Sequence, residues 1–245
     1  MWLFVLILAI DTSTRNGSVA LLRDGILLGE VSRYEETPYS TRLFADLEIL
    51  KSRSPFQMNQ VDVFAVVSGP GSFTGLRIGL TAVKGWAEVH NKPIAAISGL
   101  EAICAQSAYA AENPPPAGHF LAPFFDARRG QLFGALYRRS SLDSTGLDLA
   151  IEESIFSPEE FIELVKSSSD LGHPRLISPA RDLISPEVLH KSLPGIEVEI
   201  VSPVLAPTIG RLAFERAKRG KLLDALQLDA NYVRRSDAES KWKDS

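Results

Sequence analysis

The chain has 245 residues, 45% hydrophobic and 23% charged, with a net charge of −4 and a sequence pI of about 5.7. This suits one large globular domain or two small lobes, and the acidic balance excludes a uniformly basic nucleic-acid binder. The single cysteine, Cys104, excludes a disulfide framework or a thiolate metal cluster within one chain and suits a reducing compartment.

Residues 4–10 read as a buried strand. The apolar start Met1-Trp-Leu-Phe-Val-Leu-Ile-Leu-Ala-Ile10 resembles the core of a signal peptide, but it lacks a basic lead-in and a small-residue cleavage site, and Asp11 ends it. It is too short to span a membrane as a helix, which needs about 20 residues. A polar turn over 11–17, strands over 18–22 and 26–33, and a hairpin turn at Arg23-Asp-Gly25 complete a three-strand meander. Ser40 is placed to cap a helix through about residue 53, with Leu43, Phe44, Leu47 and Leu50 on one face. A strand over 61–68, a helix over 73–90, a strand over 93–98 and a helix over 99–111 follow, giving an α/β pattern. Cys104 falls in the apolar pattern of the last helix and reads as a small core residue.

Asn113-Pro-Pro-Pro-Ala-Gly118 is a stiff, extended breaker and marks a lobe boundary. Beyond it the opening pattern recurs. A strand over 119–125, a turn Asp126-Ala-Arg-Arg-Gly130 and a strand over 131–137 match Ile10-Asp11 through Leu22, as in a diverged duplication. Ser157-Pro-Glu-Glu160 opens a short helix, residues 175–178 and 197–201 suit strands, and residues 207–219 suit a helix closed by Gly220. The expected divisions are 1–112, 113–204, and a C-terminal helix and tail over 205–245.

The densest motif is Gly69-Pro-Gly-Ser-Phe-Thr-Gly-Leu-Arg-Ile-Gly79, between a strand and a helix. Such a loop can cradle an anion with its bare N–H groups. Its spacing matches neither dinucleotide-binding nor P-loop fingerprints. Gly75 and Gly79 fall inside the helix, where each costs roughly 0.8–1 kcal/mol relative to Ala. With Gly71 and Ala82 they form a small-residue track that would let another backbone approach. The four histidines, His90, His119, His173 and His190, nowhere take the spacing of a helical metal pair.

The duplicated strand–Asp–turn–strand unit resembles the actin, Hsp70 and sugar-kinase superfamily, with two α/β lobes of mixed sheets flanked by helices. The glycine loop, Ile10-Asp-Thr-Ser-Thr14, Asp126-Ala-Arg128 and Tyr232-Val-Arg234 narrow this to a resemblance to the TsaB (YeaZ) family. That resemblance implies a cytoplasmic, non-catalytic scaffold that docks and activates a paralogue, TsaD. With the ATPase TsaE, TsaD places a threonylcarbamoyl group on N6 of the adenosine beside the anticodon, in tRNAs reading codons that begin with A. It implies homodimerisation when TsaD is absent, no membrane association, indirect or weak tRNA contact, and no cofactor required by the isolated chain, with ATP or ADP at an interface of the complex. Where the family often has His-Ser-Glu, this chain has Tyr39-Ser40-Thr41.

Asp11, Thr12, Ser13 and Ser72 are the candidates for a weak or vestigial nucleotide contact; the alternative is a structural turn. An active phosphate loop carries glycine two residues after the aspartate, whereas Ser13 and Arg128 stand there in the two turns. This opposes the competing reading as an ATP-dependent phosphotransferase. A peptidase lacks a nucleophile arrangement. The partner-facing candidates are Leu43, Leu47 and Leu50 on the first helix, and Gly75, Leu76, Gly79, Leu80, Ala82 and Val83 on the second; purely intrachain packing is the alternative. Trp86 suits a core face better than a base-stacking platform. The pairs Arg128-Arg129, Arg138-Arg139 and Arg234-Arg235 could meet tRNA phosphates or be solvated surface.

Overall fold

A computed structural model describes residues 4–34, 39–109, 115–140, 146–168 and 174–233. The chain divides into two compact units: Met1–Gly99 with Val204–Ser245, and Leu100–Pro203.

In the first unit, β1 (Leu6–Asp11), β2 (Ser18–Arg23) and β3 (Ile26–Ser32) form the antiparallel meander. β4 (Val63–Gly69) pairs parallel to β1, and β5 (Ile94–Ser98) parallel to β4. The sheet order is β3-β2-β1-β4-β5. Every residue of β1 is buried, which explains the signal-like apolar run: a central strand covered on both faces need not alternate.

The helices α1 (Tyr39–Arg53) and α2 (Phe73–His90) cover one face of this sheet. Gly29 lies against Leu50 of α1, and Trp86 of α2 packs on Phe64 with ring centroids 5.9 Å apart. The register places Leu21, Leu8 and Phe64 side by side across β2, β1 and β4, so both helices share that face. The opposite face carries α6 (Ala206–Lys218), whose Gly210 has room for no side chain beside Leu22 and whose Ala206 N–H donates to Ser18 Oγ at 3.1 Å. The following segment pairs Leu223 with Ile94 by two hydrogen bonds of 2.8 Å along β5.

The second unit has β6 (Phe120–Arg128), β7 (Gln131–Arg139), β8 (Leu147–Phe156), β9 (Arg175–Ser178) and β10 (Val198–Ile200), with α3 (Gly99–Tyr109), α4 (Pro158–Ser167) and α5 (Pro186–Ser192). Its order, β10-β9-β6-β7-β8, repeats the first sheet. β6, β7 and β8 are antiparallel, while β9 joins β6 and β10 joins β9 in parallel. The duplication therefore extends from the matching hairpins to five strands in the same order and direction. Phe124, Phe161 and Phe120 anchor this unit's core with Leu136, Val165 and Leu176. Cys104 is fully buried, and burial, then Glu101, Glu199 and Glu153, pushes its thiol pKa well up, as befits a packing residue.

The first unit boundary falls at Gly99 rather than at 112, while the second, at Pro203, lies one residue from the expected 204. Residues 205–233 belong with the first unit because α6 and the Leu223 bridge pack on its sheet. Part of the proline run, residues 113–114, lies outside the described residues, as does the Ser40 side chain expected to cap α1. β8 and α5 are not evident from sequence. β8 is a half-exposed edge strand whose pairing with β7 is interrupted twice, so its alternation is irregular. α5 has only seven residues, too few for a periodic signal, although Ser185 caps it and Pro186 opens it. Among the described residues no helix is long and apolar enough to cross a membrane.

Candidate functional site

The glycine loop closes on its own chain. Ser72 caps α2 by accepting the Gly75 N–H at 3.4 Å, and its own N–H donates to Ser13 O at 2.8 Å. Thr12 Oγ1 donates to Gly75 O at 2.7 Å. A Cβ on Gly75 would overlap the Thr12 carbonyl, one on Gly79 the Thr12 hydroxyl, and one on Gly71 would stand 2.7 Å from Ser13 Cβ and O. Gly69, at φ 142°, is pressed equally closely by Asn231, whose N–H donates to Ser68 O at 2.8 Å. The backbone that requires these glycines is the Thr12–Ser13 turn and the C-terminal strap, not a partner.

Asp11 is fully buried at the end of β1. Its Oδ1 accepts the Ser13 N–H at 2.8 Å and the Ser13 hydroxyl at 2.6 Å, while Oδ2 has no hydrogen-bond partner. Burial raises its pKa to about 6, against the smaller lowering effect of the two Ser13 bonds. Asp126 makes the matching bond, accepting the Arg128 N–H at 2.6 Å, but it is exposed. At the Asp11 turn four donors are engaged within the chain: Ser13 N and Oγ by Asp11, Ser72 N by Ser13, and Gly75 N by Ser72. Asp11, Thr12, Ser13 and Ser72 bond to one another's segments. Among the described residues no group of three or more His, Cys, Asp or Glu side chains is placed to hold a metal ion.

The residues expected to face a partner are correspondingly internal. Leu43, Leu47, Leu50, Leu76, Leu80, Val83, Gly75 and Gly79 are all buried in the folded chain. They line the sheet face beneath α1 and α2, so they cannot form an outer surface; of that set only Ala82 is partly exposed. Phe44, which sequence places with the core leucines, is instead 59% exposed. It stands edge-on to Trp86, with centroids 6.3 Å apart. Trp86 itself packs inward on Phe64, as a core-facing side chain.

One flank of the pair is nonetheless apolar, beside the exposed polar residues Thr74, Arg77, Thr81 and Glu88. Ile78, Ala82, Gly85 and Val89 follow one another along α2 at helical spacing, and Phe44 of α1 stands at their edge against Trp86. Val89 is 78% exposed. Gly85 is exposed in mid-helix, and a Cβ there would meet nothing within 4 Å. Its roughly 0.8–1 kcal/mol propensity cost therefore has no intrachain compensation. Sequence reasoning missed Gly85 because one more glycine at near-four-residue spacing carries no mark of which face it occupies.

Of the basic pairs, Arg128, Arg129 and Arg138 are exposed. Arg139 is buried and donates to Pro115 O, which removes it from any outer surface. Arg234 and Arg235 lie outside the described residues.

The family profile for TsaD, tRNA N6-adenosine threonylcarbamoyltransferase, matches residues 39–208. The tRNA threonylcarbamoyladenosine biosynthesis protein TsaB of Bacillus subtilis (strain 168) is 29% identical over 247 residues, which is 98% of each chain. The protein of the same name from Haemophilus influenzae is 31% identical over 171 residues, 66% of this chain and 69% of that one. A crystal structure from Pseudomonas aeruginosa, of a protein with similarity to the peptidase YeaZ, superposes with a TM-score of 0.72 at 26% identity, covering 94% of this chain and 100% of that one. With its duplicated two-unit α/β fold, the chain belongs to the TsaB (YeaZ) family of TsaD-like proteins.

Proposed function

We propose that this chain is a non-catalytic subunit in the biosynthesis of threonylcarbamoyladenosine in tRNA, and that it docks a TsaD-like paralogue through the outer face of α1 and α2. The observation that carries the docking surface is Gly85: a helix-weakening glycine in open space, on a flank with exposed Val89, partly exposed Ile78 and Ala82, and exposed Phe44 of α1 nearby. Small side chains at a helix crossing let the axes approach toward the short end of the usual 8–10 Å range. The same face serves a homodimer when the paralogue is absent. The partner carries out the transfer to N6 of the adenosine beside the anticodon, with a TsaE-like ATPase, in the cytoplasm. tRNA contact by this chain is indirect or weak. Any adenine nucleotide belongs to the partner or to an interface of the complex, because Ser13 N and Oγ, Ser72 N and Gly75 N are engaged within the chain.

Light scattering of the chain alone and mixed with a TsaD-like partner tests this reading. Gly85→Leu improves helix propensity, so the variant stays folded, yet it thickens the crossing and should abolish the complex. A complex of unchanged affinity, with unchanged tRNA modification, sinks the proposed face. The aspartate turns motivate a phosphotransferase as the competing reading. Calorimetry with Mg-ATP should show no tight binding to the isolated chain; tight binding lost in Asp11→Ala would replace the scaffold reading.

A further inference from the structure

Arg77 is exposed on α2, yet its guanidinium is held in place. It lies 3.7 Å above the centre of the Phe73 ring, and its Nε donates to Tyr232 Oη at 3.1 Å. Tyr232 in turn packs on Phe73, with centroids 5.0 Å apart. The ring that completes this clamp comes from the C-terminal strap, tied down by the Asn231–Ser68 bond and the buried Leu228. No carboxylate among the described residues pairs with Arg77. The first turn of α2 has no acid, and its one acidic residue, Glu88, stands about three turns further on. A cation near a helix N-terminus also gains nothing from the helix dipole. The guanidinium is therefore stacked and aimed, and among the described residues no partner is recorded for its two terminal nitrogens.

Helical spacing puts Arg77 beyond Thr81 and Gly85, at the rim of the outer α2 face on the side away from Phe44. We propose that Arg77, clamped between Phe73 and Tyr232, is a carboxylate receptor that reads an acidic side chain of the docked TsaD-like subunit. The inference deepens the docking reading and rests on it. A planar guanidinium forms two parallel hydrogen bonds to a carboxylate, and one already immobilised loses less freedom on pairing. The apolar stripe supplies contact area, and Arg77 supplies register and discrimination. Tyr232 acts as a positioning residue, so a C-terminal segment remote in sequence takes part in partner choice.

The test measures the affinity of the full chain for the TsaD-like partner at several salt concentrations, with thermal melts to confirm folding. Arg77→Met should weaken docking about tenfold and flatten its salt dependence. Arg77→Lys keeps the charge and the salt dependence but loses the paired bonds, so it should fall between. Tyr232→Phe keeps the ring, loses the Nε anchor, and should weaken docking a few-fold without moving the melt. Arg77→Met with wild-type affinity and salt dependence overturns the proposal. So does a variant that loses tRNA retention while docking is unchanged, since the acceptor would then be a phosphate. Gly85→Leu separates the two readings. If it breaks the complex while Arg77→Met does not, the docking face stands and the receptor falls; if neither matters, the face itself is wrong.

Discussion

Replacing Asp11 by asparagine removes a buried charge while keeping the oxygen that accepts both Ser13 bonds. Burial lifts the Asp11 pKa from 3.8 to about 6, so the folded state holds this proton more tightly than the unfolded chain does. The stabilisation from that proton is complete below about pH 3.8 and is lost as pH rises through about 6. The difference, 6 − 3.8, at 1.36 kcal/mol per pH unit, makes ionised Asp11 a burden of about 3 kcal/mol at neutral pH. Asparagine has no such dependence, but its amide N–H2 takes the place of the unpartnered Oδ2 and costs about 1–3 kcal/mol. The net change at pH 7 is therefore small, whereas the pH dependence is not. Urea unfolding of both proteins between pH 4 and pH 8 measures it: the variant should gain about 2 kcal/mol on the wild type across that range. Parallel curves would refute the buried-charge account. A wild type that gains on the variant as pH rises would show instead that a cation or a donor meets Oδ2.

Two glycines on one helix should respond in opposite directions. Gly75→Ala drives a Cβ into the Thr12 carbonyl and should cost at least about 1–3 kcal/mol, while Gly85→Ala should stabilise by about 0.8–1 kcal/mol, both read by chemical denaturation. Asp46, nearly fully buried, pairs with Arg33 and stands 3.6 Å from Arg42, so Asp46→Ala should destabilise by about 3 kcal/mol or more. Leu50→Ala should cost about 2–5 kcal/mol and leave any soluble protein able to dock. Phe44→Ala should melt much as the wild type does yet bind the partner more weakly, which co-purification and calorimetry would separate.

Much of the architecture is legible from pattern alone. The meander, α1, α2 and β5 appear where period-two and period-3.6 apolar spacing places them, because those periods are local properties of a backbone. The repeated hairpin, Asp11 with Ser13 and Asp126 with Arg128, already indicated the duplication. β8 and α5 escaped because an edge strand with broken register, and a two-turn helix, bury too little on one side to impose a period.

The amino-acid sequence by itself determined the fold class, the small-residue character of α2 and the family resemblance carried by the glycine loop. Only the tertiary structure decided which glycine serves which neighbour. Thr12 and Gly75 lie 63 positions apart, and their contact exists because β1 and β4 pair in parallel. An apolar face says that something must cover it, not what does. Long-range pairing turned Leu43, Leu47, Leu50, Gly75 and Gly79 inward and left Phe44, Gly85 and Val89 outside, and brought Tyr232 onto Arg77 from the far end of the chain.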